Sequence, residues 1–234
     1  SDATVREPQW LQRAVYQMPG QKVPLIRVIP YVSQAIDAGT LDLPTSRFLI
    51  RQLKTEGQWL EAYNLWLYVW KRPVSLLFNG DFEQPFLSGG FDWEAGQTNV
   101  YRAGAQVQRS GRGGRGQVLQ VVFTGKSMGS HAVKQDLLLS PGRYVFEGQY
   151  LASELRSRQG LVWAVRCARG GREVARTEPI VAEGRNWRSW RLEFEFPLEC
   201  GLGAHLELKP AASFEAVAGM KGEVLFDRLT LGKR

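Results

Sequence analysis

Six side chains have the types that grip a polyhydroxylated ring: Trp187 and Tyr101 as flat aromatic surfaces, and Arg166, Glu147, Gln149 and Arg191 as planar hydrogen-bonding groups. A sugar stacks its C–H face on an aromatic ring while its hydroxyls pair with amides, carboxylates and guanidinium forks. All but Tyr101 lie in segments whose hydrophobic alternation reads as strand. In 187–196, Trp190, Leu192, Phe194 and Phe196 share one phase, and Trp187, Ser189, Arg191, Glu193 and Glu195 share the other. In 144–151, Tyr144, Phe146 and Tyr150 alternate with Glu147 and Gln149, and in 161–167 Arg166 points away from Leu161, Trp163, Val165 and Cys167. If these strands adjoin, one polar face collects Arg166, Glu147, Gln149, Arg191, Glu193 and Trp187. The competing reading of the same face is a solvated sheet surface laced with cross-strand ion pairs.

Other residues invite chemistry that the pattern does not support. Glu193 and Glu195 stand at i and i+2 on one strand face, about 6–7 Å apart, which is within the range of hydrolytic carboxylate pairs. Alternating Glu is nevertheless ordinary on an exposed strand, so no enzyme is expected. His131 and His205 have no nucleophile motif near them. The stretch Ser110-Gly111-Arg112-Gly113-Gly114-Arg115-Gly116 reads as a flexible loop between strands; it lacks the Lys-Ser/Thr ending of a phosphate-binding loop. Cys167 and Cys200 either form a disulfide, which would indicate an oxidising compartment, or remain two reduced, partly buried thiols.

The chain has 234 residues, 44% hydrophobic and 23% charged, which is a globular composition with room for one large domain or two smaller ones. No apolar run approaches the roughly 20 residues of a membrane-spanning helix. Two Cys and two His leave little material for a zinc cluster. The net charge of +7 is spread along the chain and does not demand a nucleic-acid partner.

Two regions read differently. From Trp10 to Trp70 the pattern is helical. Pro30 breaks the apolar segment 25–29, Thr45 or Ser46 offers a cap before a helix at 47–53, and Gly57 separates that helix from another beginning at Trp59, which Pro73 ends. After Pro73, nine short strands are expected at 74–78, 118–123, 133–139, 144–151, 161–167, 173–180, 187–196, 205–208 and 223–231, with Asn-Gly, Gly-Gly and Pro-Gly turns between them. The expected fold is mixed and mainly β: a small helical region at 1–73, then an antiparallel jelly-roll β-sandwich at 74–234.

Two resemblances follow. The segment Leu53-Lys54-Thr55-Glu56-Gly57-Gln58-Trp59-Leu60-Glu61-Ala62 resembles the inter-helix turn of a tetratricopeptide-type hairpin, which implies a protein partner for the helical region. Asn79-Gly80-Asp81-Phe82-Glu83, then Trp93, Gly116 to Val121, Gln135 to Phe146, 187–197 and Val224 to Leu231, resemble in order the galactose-binding-like carbohydrate-binding modules. That likeness covers roughly 76–232. It implies a non-catalytic module that recognises a glycan within a larger envelope or polysaccharide-handling protein, in the periplasm or another extracytoplasmic space. It also implies a structural calcium joining the first and last strands through Glu83 and Asp227, oxygen ligands that suit that ion. The alternative function is a structural or protein-interaction module whose sandwich binds no sugar.

Overall fold

The computed structural model describes residues 9–95, 104–126, 132–212 and 219–234. The chain divides into two compact units, Ser1–Val74 and Ser75–Arg234. The first unit is helical: α1 (Trp10–Gln17), α2 (Ile29–Asp37), α3 (Leu43–Thr55) and α4 (Trp59–Trp70) bury Leu11, Val15, Leu49, Leu53, Ala62 and Trp66. Pro30 does not break the apolar segment before it. It sits in the first turn of α2, where a helix needs no proline N–H, after a single 3-10 turn at Leu25–Val28. The cap of α3 is Asp42, whose carboxylate accepts the Thr45 N–H at 2.8 Å; Thr45 and Ser46, the expected caps, lie buried within the first turn. Between α3 and α4 the Gln58 N–H reaches back to the Leu53 carbonyl at 2.8 Å, closing the first helix so that the second packs against it.

The second unit is a sandwich of two antiparallel five-stranded sheets. Its strands are β1 (Trp93–Ala95), β2 (Ala105–Ser110), β3 (Val118–Thr124), β4 (Val133–Leu138), β5 (Gly142–Leu151), β6 (Leu161–Cys167), β7 (Glu173–Arg176), β8 (Arg188–Phe196), β9 (Gly203–Pro210) and β10 (Lys221–Lys233). One sheet runs β1-β4-β9-β6-β7 and the other β2-β3-β10-β5-β8. Alternate residues of each strand turn inward around Trp93, Trp163, Phe146 and Phe226. Trp163 stands 5.7 Å from Trp93 and 5.2 Å edge-on from Phe226, so large rings from both sheets knit the layers together.

Departures from the expected strands have local causes. Segment 74–78 is not a strand. The Gln135 side chain takes the place of a ladder partner, accepting the Phe78 N–H at 2.9 Å and donating to the Phe78 carbonyl at 3.0 Å. Segment 173–180 is strand only as far as Arg176; Pro179 cannot extend the ladder, and Ile180 makes a single bridge to Leu161. Strands β1 and β2 went unanticipated because one is three residues long and the other largely polar. Cys167, ending β6, is disulfide-bonded to Cys200 in the 3-10 turn between β8 and β9, with Cα atoms 5.1 Å apart.

Candidate functional site

The outward face of the β2-β3-β10-β5-β8 sheet carries a row of planar polar side chains. In β3, Leu119, Val121 and Phe123 enter the core, which puts Gln120 on the opposite face. Register sets Gln108 of β2 beside Gln120. Gln108 donates to Gln120 Oε1 at 2.7 Å, Gln120 donates to Glu223 Oε2 of β10 at 2.5 Å, and Arg112 donates to the same oxygen at 2.8 Å. Further along, Asp227 of β10 pairs with Gln149 of β5, which pairs with Ser189 of β8. Glu147 opposes Arg191, which donates to it and, at 3.1–3.2 Å, to Glu193; Arg234 joins Glu193 at 3.2 Å.

The 111–116 turn between β2 and β3 folds onto this face. Gly113 (φ 84°) lies so close that a Cβ would stand 2.8 Å from the Trp187 ring and 3.2 Å from Leu225, so only glycine fits. The Trp187 N–H donates to the Gly113 carbonyl at 3.2 Å. The Arg115 guanidinium stacks on the Trp187 ring, 4.3 Å from its centroid, and hydrogen-bonds Gln149. Trp187 is therefore a post that positions Arg115, and one face of its indole is already covered.

Glu147, Gln149, Arg191 and Trp187 thus gather on one sheet face. Arg166 does not join them. It belongs to β6 in the opposite sheet, where it pairs with Glu207 of β9, because the chain order β9-β6-β7 carries that strand to the other layer. Tyr101 lies outside the described residues, as does His131. His205 lies in the other sheet, where its Nδ1 meets Asp136 Oδ1 at 2.6 Å. Gln108, Gln120, Glu223 and Arg115 were missed as site residues. The alternating Ala-Gln-Val-Gln of β2 was the available signal. At the sandwich edge a cavity of about 330 Å³ opens between β8 and the 176–180 segment, with Tyr150 and Trp190 in its wall, and burial pushes up the Tyr150 hydroxyl pKa.

At the place expected for calcium, Glu83 and Asp227 are engaged by groups of the chain itself. Glu83 Oε1 accepts the Gln117 N–H at 2.9 Å, while the carbonyls of Phe82 and Glu83 accept from Arg109 at 2.6 and 2.7 Å. Asp227 Oδ1 accepts the Arg228 N–H at 2.8 Å, and its Oδ2 faces Arg115 at 3.9 Å and Arg228 at 3.8 Å. Burial raises the Asp227 carboxyl pKa, opposed by that N–H and by the two guanidinium groups, with the negative charge of Asp81 adding to the rise. Among the described residues no three His, Cys, Asp or Glu side chains gather as a metal cluster.

Comparison with solved structures gives the fold. The chain matches a family 4 carbohydrate-binding module with a TM-score of 0.51 and 15% identity, over 68% of this chain and 99% of that one. Other matches include the xylan-binding CBM22-1 domain of Paenibacillus barcinonensis Xyn10C (TM-score 0.37, 15% identity, 66% and 91% covered) and TmCBM61 in complex with β-1,4-galactotriose (TM-score 0.39, 15% identity, 69% and 100% covered). The second unit has the jelly-roll β-sandwich fold of carbohydrate-binding modules. No known family's sequence profile matches the chain, and no curated protein does.

Proposed function

We propose that the β-sandwich is a non-catalytic glycan-binding module, part of a larger extracytoplasmic envelope or polysaccharide-handling protein, and that it binds on the outward face of the β2-β3-β10-β5-β8 sheet. The observation that carries this reading is the row of planar donors and acceptors, Gln108, Glu223, Gln149, Glu147 and Arg191, beside the Arg115–Trp187 stack. Amides, carboxylates and guanidinium groups held in one plane match the rim of a sugar ring, and the stack supplies a flat wall. The Cys167–Cys200 bond supports an oxidising compartment. A glycan array with the intact chain tests the reading. A hit should lose about tenfold or more in affinity in Gln149→Ala and Arg191→Ala, with melting temperature preserved, because each removes a hydrogen-bonding partner worth about 1.4 kcal/mol or more. An array without hits on folded protein, in the parent and in Arg115→Ala alike, would refute it.

One observation favours a second reading. Arg115 already covers a face of Trp187, the aromatic best placed to stack on a sugar. If that contact is permanent, the sandwich is structural, and the α3–α4 hairpin, with its tetratricopeptide-like turn, is the part that meets a protein. Arg115→Ala separates the readings: it uncovers the ring, so glycan binding that appears or strengthens supports the module reading, and a silent array in both forms supports the structural one.

A further inference from the structure

We infer that the two ends of this sandwich are joined by arginine instead of a metal ion: the guanidinium groups of Arg109 and Arg115, both from the β2–β3 hairpin, occupy the role that calcium would fill between the 79–83 turn and β10. The turn is shaped to present oxygens. Asn79 (φ 51°) and Phe82 (φ 57°) both adopt the left-handed conformation, as does Arg228 (φ 54°) in the bulge of β10 between Asp227 and Thr230. Such conformations cost of order 1–3 kcal/mol each in bulky residues and persist only where the surroundings fix them. Part of the fixing is internal: Asn79 Oδ1 accepts the Gln84 N–H at 3.0 Å, and the Asn79 carbonyl accepts from Trp93 at 2.9 Å and from the Phe82 N–H at 3.1 Å. Arg109 adds the contact from outside the turn. The Phe82 and Glu83 carbonyls point to one side, and a single guanidinium receives both, through Nε at 2.6 Å and Nη2 at 2.7 Å. A rigid fork of N–H donors suits two neighbouring oxygens in a way a point charge does not.

The carboxylates are committed to the same closure. Glu83 takes the Gln117 N–H at the start of β3, one residue before Val118, so it pins the hairpin that carries Arg109 and Arg115. Asp227 lies beside Arg115, which is braced from behind by Trp187 and Gln149. The backbones are already in direct contact: the Leu229 N–H donates to the Gly80 carbonyl at 2.9 Å, and a Cβ on Gly80 would lie 1.9 Å from the Leu229 carbonyl oxygen. Positive charge, carbonyl coordination and chain-end closure are all supplied by the chain itself. The module then holds its shape wherever calcium is scarce, and a chelator cannot open it.

The test uses the intact chain. Melting temperature should agree within about 1 °C between excess chelator and about 5 mM calcium, a concentration above the dissociation constants of extracellular calcium modules. Titration calorimetry with calcium should show no binding over that range. Arg109→Met should lower the melting temperature by about 4–10 °C, since it strands two carbonyls and one strained turn. Arg109→Lys should recover less than half of that loss, because one ammonium cannot span both oxygens. Calcium binding by the unmodified chain, or a melting temperature that rises several degrees with calcium, would overturn the inference, as would an Arg109→Met protein that melts like the parent. The calcium titration needs no variant, so it decides the matter even where Arg109→Met fails to fold.

Discussion

Glu173 sits between two cations on the outward face of β7. Its Oε1 accepts from Arg176 Nε at 2.5 Å, and its Oε2 accepts from Arg176 Nη2 at 2.8 Å and Lys209 at 2.9 Å. The Arg176 hydrogen bonds, with help from Lys209 and against partial burial, lower its pKa from 4.5 to about 2. A carboxylate depressed in the folded state contributes stability above the unfolded value, and that contribution fades as pH falls from about 4.5 toward about 2. Its side chain is 26% exposed, so solvent screening reduces the contribution to about 1–2 kcal/mol. Glu173→Gln should therefore be less stable than the parent by that amount at neutral pH. The difference should shrink steadily below pH ~4.5, as measured by urea unfolding at a series of pH values. A gap between the two proteins that does not change with pH would show that packing, not charge, is what the substitution removes.

At the scale of elements, the disulfide is the cross-link with the largest predictable effect. Cys167 closes β6 in one sheet, and Cys200 lies on the connection that leaves β8 in the other. Their separation of 33 residues gives a loop-closure contribution of about 3–4 kcal/mol in the unfolded chain. Cys167→Ala/Cys200→Ala should melt about 7–15 °C lower, read by calorimetry, and reductant should lower the parent toward the same value. An unchanged melting point would mean that the crossover is held by the packing of Phe196 and Leu206 alone. The elements also show what the sequence made legible. The alternation within β6 and β8 correctly separated buried Trp163 and Phe196 from outward Arg166 and Arg191, because a strand's period is a local property. Which strands adjoin is not local. Glu147 meets Arg191 across 44 residues and Arg166 meets Glu207 across 41, and nothing in either strand's own pattern distinguishes these partners. The expected face therefore kept Glu147, Gln149 and Arg191 and lost Arg166. Gln108 was missed because a polar edge strand hardly differs from a loop in composition.

At the scale of the whole molecule, the formal charge of +7 looks like an invitation to polyanions, and the arrangement of the charges withdraws it. Arg112 pairs with Glu223, Arg166 with Glu207, Arg176 with Glu173, and Arg191 with Glu147 and Glu193. Lys134 lies between Glu94 and Asp136, Lys209 is held by Glu173, and Arg109 is spent on backbone carbonyls. A nucleic-acid surface needs cations whose counter-charges are mobile, since affinity comes from the ions they release from phosphate. Here the counter-charges are fixed carboxylates on neighbouring strands, and opposite charges alternate within a Debye length of about 8 Å at physiological salt. Around these pairs the local field is weak, and the surplus of positive charge is carried by other Lys and Arg residues. The 111–116 turn, the segment most like an Arg/Gly nucleic-acid tract, has Arg112 on Glu223 and Arg115 on Trp187, Gln149 and Asp227. Fluorescence anisotropy with a labelled single-stranded oligonucleotide should show no binding at 150 mM salt below about 10 μM protein, and only weak association at low salt with a shallow dependence on salt. Micromolar affinity at physiological salt, falling steeply as salt is added, would show instead that the arginines let go of their carboxylates for phosphate. The ion-pair lattice would then be a latent anion site, and the glycan proposed for the sheet face would be an acidic one.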